Sequence, residues 1–116
     1  MPSVLIVDDH ASFRATARAL LEADGFTVIG EAADGRTALE QIMRLRPDVV
    51  LLDIYLPDMD GFAVVEELSA LGRTPQVILT SSRDGSDFGS LVANSRARGF
   101  LAKAELSGMK LTALLE

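Results

Sequence analysis

The chain has 116 residues, no cysteine and a formal net charge of −6. Its length fits one domain, expected to run over residues 1–116, and 48% hydrophobic residues can supply a core. The acidic balance argues against a domain that itself holds nucleic acid, because phosphate binding needs clustered Lys and Arg. Without thiols there are no disulfides, no thiolate metal site and no cysteine nucleophile. No apolar run reaches ~18 residues, so no membrane span is expected. "MPSVLIVDD" lacks the basic start of a signal peptide. A cytoplasmic location is expected.

Strand-like and helix-like stretches alternate along the chain. "VLIV" (4–7) is short, apolar and β-branched, as a buried strand should be. Phe13, Ala17, Leu20 and Leu21 then recur at helical spacing, and Gly25 supplies a stop. "TVIG" (27–30) reads as a second strand. Asp34 can cap a helix that carries Ala38, Leu39, Ile42 and Met43 on one face and ends at Pro47. "VVLL" (49–52) is the third strand. Phe62, Val65, Leu68 and Leu71 mark a helix after Gly61, and "QVILTS" (76–81) is the fourth strand. Phe88, Leu91, Val92 and Ser95 give the weakest helical pattern. "GFLA" (99–102) is the fifth strand, and Ser107 can cap a last helix holding Leu111, Leu114 and Leu115.

This order is (βα)5. Strands joined through helices run parallel with right-handed crossovers, so helices cover both faces of the sheet. The expected fold is α/β and doubly wound, with five parallel strands.

In an open α/β sheet, ligands bind beyond the carboxyl ends of the strands. Asp8 and Asp9 follow the first strand, Asp53 the third, and Lys103 the fifth; Thr80, Ser81 and Ser82 end the fourth. Glu31, at the end of the second strand, carries no signal. Two unit charges about 4 Å apart repel by about 4 kcal/mol at an effective dielectric near 20. Three acids on one edge therefore call for a counter-charge. Oxygen ligands suit a hard cation such as Mg²⁺ (or Mn²⁺), and Lys103 can add a second positive charge. A carboxylate can also be a nucleophile that forms an aspartyl phosphate, with positioning and charge neutralisation doing most of the catalysis. Asp58 and Asp60 fit turn and cap roles. His10, the lone histidine, fits packing or capping near the site, and no serine pairs with it as a hydrolase triad requires.

With "VDDH" (7–10), "DIYLPDMDG" (53–61), "LTSS" (79–82) and "GFLAK" (99–103) in this order, the whole chain resembles the response-regulator receiver domain of bacterial two-component signalling. The closest likeness is to receivers of the helix-turn-helix output class. The resemblance implies the flavodoxin-like strand order 2-1-3-4-5. It implies that Asp53 accepts a phosphoryl group from a sensor histidine kinase. It further implies Asp9, Asp53 and the backbone carbonyl of Tyr55 as metal ligands, Asp8 as a ligand through water, and Lys103 as the lysine that contacts the phosphoryl group. Ser81 stands 22 positions before Lys103, the separation the family uses for its switch hydroxyl. Thr80 is the alternative. Phe100 matches the aromatic that turns inward when the hydroxyl moves toward phosphate. The output face is then the fourth helix, fifth strand and fifth helix, which can also form a homodimer. DNA would be reached only through a further C-terminal domain.

Two positions depart from the family pattern. Ala104 follows Lys103, where proline with a cis bond is common; a cis Lys-Ala bond would cost about 3 kcal/mol. Arg96 replaces a small residue, and a positive φ there would cost roughly 1–2 kcal/mol. Tyr55 and Arg83 flank the phosphoryl position, and the bulk of Tyr55 is expected to slow phosphate loss. Other readings carry less. A dehalogenase-like phosphohydrolase wants a second acid at the position of Tyr55, and room for a cap domain. A flavodoxin-like cofactor site would put phosphate against "DDHAS", which repels it. A pseudo-receiver interaction module would not need the acids and the lysine intact. The expected role is a phosphoacceptor rather than an enzyme, with at most slow loss of its own phosphate.

Overall fold

The computed structural model describes residues 2–73, 75–82 and 88–115. Five strands form one parallel sheet in the order β2-β1-β3-β4-β5. They are β1 (Ser3–Val7), β2 (Thr27–Ala32), β3 (Val49–Asp53), β4 (Gln76–Ser81) and β5 (Gly99–Ala102). The helices between and after them are α1 (Ala11–Ala23), α2 (Gly35–Leu45), α3 (Gly61–Ala70), α4 (Gly89–Ala93) and α5 (Gly108–Leu115). A single 3-10 turn, Lys103–Glu105, follows β5. The expected order 2-1-3-4-5 is the observed one.

Strand alternation sorts the aliphatic residues into two cores. Val4, Ile6, Val49, Leu51, Ile78 and Leu101 face Ala17 and Leu21 of α1 and Leu111 of α5. Leu5, Val7, Val50, Leu52, Val77 and Leu79 face Ala38 and Ile42 of α2 and Val64, Val65 and Leu68 of α3. β3 is central and all five of its residues are buried, which explains its unbroken apolar run. Each buried Leu or Ile contributes about 1.5–3 kcal/mol relative to exposure. Together they fix the register that carries the polar residues at the strand ends.

Local signals set the helix boundaries. The Asp34 carboxylate accepts from the Thr37 N–H at 2.7 Å, and Asp60 accepts from the Ala63 N–H at 2.8 Å. Ser107 Oγ accepts from the Lys110 N–H at 3.1 Å. Gly25 stops α1 with a φ of 93°. The end of α2 differs in detail from the expected stop at Pro47. The chain turns left-handed one residue earlier, at Arg46 with a φ of 52°, where a right-handed conformation would crowd the proline.

Arg96 is not in the left-handed region; among the described residues Arg46 is the only non-glycine with positive φ. The α4 helix has only five residues. Ser95, expected at its end, instead follows it, donating from Oγ to the Val92 carbonyl at 2.8 Å. No cis peptide bond occurs among the described residues, so the Lys103–Ala104 bond is trans. Arg83 lies outside the described residues.

Candidate functional site

Strand register brings the site together. Val7 of β1 pairs with Leu52 of β3, so the next residues, Asp8 and Asp53, emerge side by side. Asp53 pairs with Thr80 of β4, and Ser81 pairs with Ala102 of β5, the residue before Lys103. The lysine therefore leaves the edge strand two strands away from the acid. Its four-carbon stem spans that gap.

The Lys103 Nζ lies 2.6 Å from Asp8 Oδ2 and 3.1 Å from Asp53 Oδ2. Asp8 is fully buried and Asp53 nearly so. The ammonium also stands 4.7 Å from the centroid of the Phe13 ring, a cation–π contact from the first turn of α1. Asp53 Oδ1 is turned the other way and accepts from the Tyr55 N–H at 3.1 Å. Asp9 is exposed at the rim. One ligand atom from each of Asp8, Asp9, His10 and Asp53 falls within 4.8 Å of the others. Three carboxylates against one ammonium leave two negative charges uncompensated, the charge of a divalent cation. An oxygen-rich, net-dianionic cluster at a strand end is the donor chemistry that hard cations take. These residues could hold a metal.

Burial holds the Asp53 carboxyl above its ordinary range. The Tyr55 N–H and the Lys103 ammonium oppose that rise, and the Asp8 charge adds to it. Burial alone would lower Lys103, but its bonds to Asp8 and then Asp53 outweigh burial and raise it. The lysine is thus held charged between two acids.

The two hydroxyl candidates point to opposite faces. Thr80 shares the face of Ile78, toward α1 and α5; it is buried and its Oγ1 has no hydrogen-bond partner among the described residues. Ser81 is also buried and lies on the face of Leu79 and its neighbour Phe100. Phe100 packs on Phe88 with ring centroids 5.9 Å apart, and Phe88 meets Tyr55 edge-on at 6.0 Å. This aromatic row links the residue two past Asp53 to the face carrying Ser81.

Several supports were not legible from motifs. Arg14 donates from Nη1 to the Asp8 carbonyl at 2.6 Å and from Nε to Glu31 at 3.0 Å. It thereby ties the loop bearing the acids to β2. Asp58 accepts from the N–H groups of Gly35 and Arg36, at 2.8 and 3.0 Å. Those bonds hold its carboxyl below the usual range and fasten the loop after β3 to α2. A lone arginine on α1 and a lone acid near the end of β2 do not signal the first of these ties in the sequence.

The model of the response regulator receiver domain matches residues 4–116. The chain belongs to the response-regulator receiver family. Its fold agrees: the signal receiver domain of the response regulator NarL from Mycobacterium tuberculosis superimposes with a TM-score of 0.86. That pair is 34% identical, over 98% of this receiver and 96% of the other chain. A protein described as a transcriptional regulator in Pseudomonas aeruginosa is 39% identical over 114 residues, 97% of this receiver and 55% of that protein. The virulence-factor transcription regulator BvgA of Bordetella pertussis is 39% identical over 102 residues, 88% of this receiver and 49% of that protein. The receiver spans about half the length of both relatives. No helix among the described residues is long and apolar enough to cross a membrane.

Proposed function

We propose that this receiver accepts a phosphoryl group on Asp53 from the phosphohistidine of a sensor histidine kinase, in the cytoplasm. The observation that carries this reading is the Lys103 ammonium bridging the buried carboxylates of Asp53 and Asp8, with Asp9 beside them at the rim. A carboxylate oxygen of Asp53 attacks phosphorus as the P–N bond of the donor breaks, and the electron pair leaves on the imidazole nitrogen. Lys103 neutralises charge on the transferred oxygens, and the buried pocket strengthens that interaction. Asp9, Asp53 and the Tyr55 carbonyl would hold Mg²⁺ (or Mn²⁺), with Asp8 acting through water. A bound Mg²⁺ supplies further neutralisation of the phosphoryl oxygens. The site does not turn over a substrate beyond slow loss of its own phosphate, and the half-exposed Tyr55 ring slows that loss.

The phosphoryl group biases a two-state surface. Ser81 is the switch hydroxyl and Phe100 the aromatic that follows it, because they share one face of the sheet while Thr80 faces the other. The α4, β5 and α5 surface then meets an output partner or a second receiver. Residues 1–116 act as one receiver domain, and transcription is the output the relatives suggest. The test is intact mass after incubation with acetyl phosphate and Mg²⁺. One phosphoryl group should be gained, and Asp53→Asn should abolish the gain. Rapid turnover of varied phosphate esters, or no gain at all, would contradict this function.

A further inference from the structure

His10 sits inside the acid cluster rather than beside it. Its backbone N–H donates to Asp8 Oδ1 at 2.8 Å. Its ring Nδ1 stands 3.1 Å from Asp8 Oδ1 and 3.1 Å from Asp9 Oδ1. The residue occupies the N-cap of α1, yet its side chain makes no capping bond. The imidazole is thus spent on the carboxylates and not on the helix.

The spacing is that of adjacent ligands on one ion. Two donors each about 2.1 Å from a metal stand about 3.0 Å apart at right angles and about 3.4 Å apart in a tetrahedron. Both nitrogen-to-oxygen separations of His10 fall in that range. A ring nitrogen of His10 belongs to the same group of mutually close donor atoms as Asp8, Asp9 and Asp53, and Nδ1 is the one beside Asp8 and Asp9. The half-open ring can bind without being dug out of the core, since its side chain is 66% exposed. An imidazole adds little for Mg²⁺, which prefers oxygen and keeps its waters. It adds much for Ni²⁺, Cu²⁺ and Zn²⁺, which favour nitrogen.

We propose that His10 is a metal ligand through Nδ1, completing with Asp8, Asp9 and Asp53 a site that takes Ni²⁺, Cu²⁺ or Zn²⁺ in preference to Mg²⁺. This rests on the reading of the same cluster as a cation site. It gives the receiver a second metal chemistry at the acceptor pocket. A nitrogen-favouring ion, once bound, competes directly with Mg²⁺ for Asp9 and Asp53.

The test is calorimetric titration of the tag-free, metal-stripped chain with Mg²⁺ and with Ni²⁺, for wild type, His10→Ala and His10→Asn. Asparagine keeps a small polar side chain at the helix cap but not the imidazole. Both variants should lose about tenfold or more in Ni²⁺ affinity and less than about threefold in Mg²⁺ affinity. With one histidine in the chain, imidazole nitrogen hyperfine coupling in the Cu²⁺ spin-resonance spectrum of wild type should vanish in both variants. Equal Ni²⁺ affinity in all three proteins would overturn the proposal. So would equal losses for Ni²⁺ and Mg²⁺, which would mark His10 as a purely structural support. If wild type binds Mg²⁺ but ignores His10, this inference falls alone. If His10-dependent Ni²⁺ binding persists without Mg²⁺ binding, the inference stands and the Mg²⁺ reading falls.

Discussion

Gly61 lies against the main chain of the acceptor residue: a Cβ built on it would stand 2.8 Å from the Asp53 carbonyl oxygen and 3.0 Å from the Ile54 Cα. Both obstacles are backbone, and the Gly61 N–H is bonded to the Ile54 carbonyl at 2.7 Å. Neither side can yield without moving β3. Gly61→Ala should therefore destabilise by about 1–3 kcal/mol through overpacking. The gain from replacing Gly in a helix, at most about 1 kcal/mol, is too small to offset it. Urea unfolding reads the stability. The same variant should accept phosphate more slowly from acetyl phosphate, because Asp53 is displaced; a variant as stable and as reactive as wild type would contradict this packing argument.

The Asp53 carboxyl is held above its ordinary value by burial. The folded state therefore binds more protons at this group than the unfolded chain between pH 3.8 and its raised value. Its contribution to stability is full below pH 3.8 and is lost as pH rises through the raised value. At neutral pH the ionised group burdens the fold. In metal-free buffer at pH 7, Asp53→Asn should melt at a higher temperature than wild type, and the difference should shrink toward pH 3. Mg²⁺ at about 100 times its Kd should add about 2.7 kcal/mol to wild type and less to the variant. A variant that melts lower at pH 7 would contradict the assignment of burial as the main cause.

Lys103 bridges two buried acids, so removing it strips the Asp8 carboxylate of its ammonium partner. Lys103→Met should cost about 3–5 kcal/mol, toward the lower end because the lysine side chain keeps 16% exposure. Adding Asp8→Asn should restore most of that loss, a coupling that a double-mutant cycle of melting or urea unfolding measures. Additive losses would show that the two groups do not share one interaction. Lys103→Met should also abolish phosphate acceptance while leaving divalent-ion binding in place.

Thr80 and Ser81 are adjacent buried hydroxyls with opposite expected outcomes. The Thr80 Oγ1 has no hydrogen-bond partner among the described residues, so Thr80→Val should stabilise by about 1 kcal/mol and leave phosphate acceptance intact. Ser81→Ala should still be phosphorylated on Asp53 but should fail to transmit it. The Phe100 ring resonances would then stay unchanged on phosphorylation, where wild type shows a shift. If Thr80→Val abolished that shift and Ser81→Ala kept it, the switch assignment would pass to Thr80.

The alternation of elements was legible because apolar period and punctuation agree along most of the chain. Asp34, Gly25 and Ser107 act locally, through bonds within a few residues, so sequence alone reveals them. Asp8, Asp9, Asp53 and Lys103 were legible because each lies at or just past the carboxyl end of a strand and parallel strand ends converge. Arg14 and Glu31 were not, because a lone arginine on a helix and a lone acid on a strand end look like solvated charges until β2 is set beside β1. Phe88 likewise reads as ordinary helix packing; only the fold places it between Tyr55 and Phe100. Arg96 warned of a strained turn that the short α4 avoids by ending early, at Ala93.

Location of the phosphoryl group tests the account most directly. The chain is incubated with acetyl phosphate and Mg²⁺, reduced with borohydride, which converts an aspartyl phosphate to homoserine, and mapped by peptide mass. The account predicts homoserine at position 53 alone, and none when the metal is chelated or Lys103 is replaced by Met. Modification at Asp8, Asp9 or any other acid in place of Asp53, or at 53 without regard to metal and lysine, would contradict it.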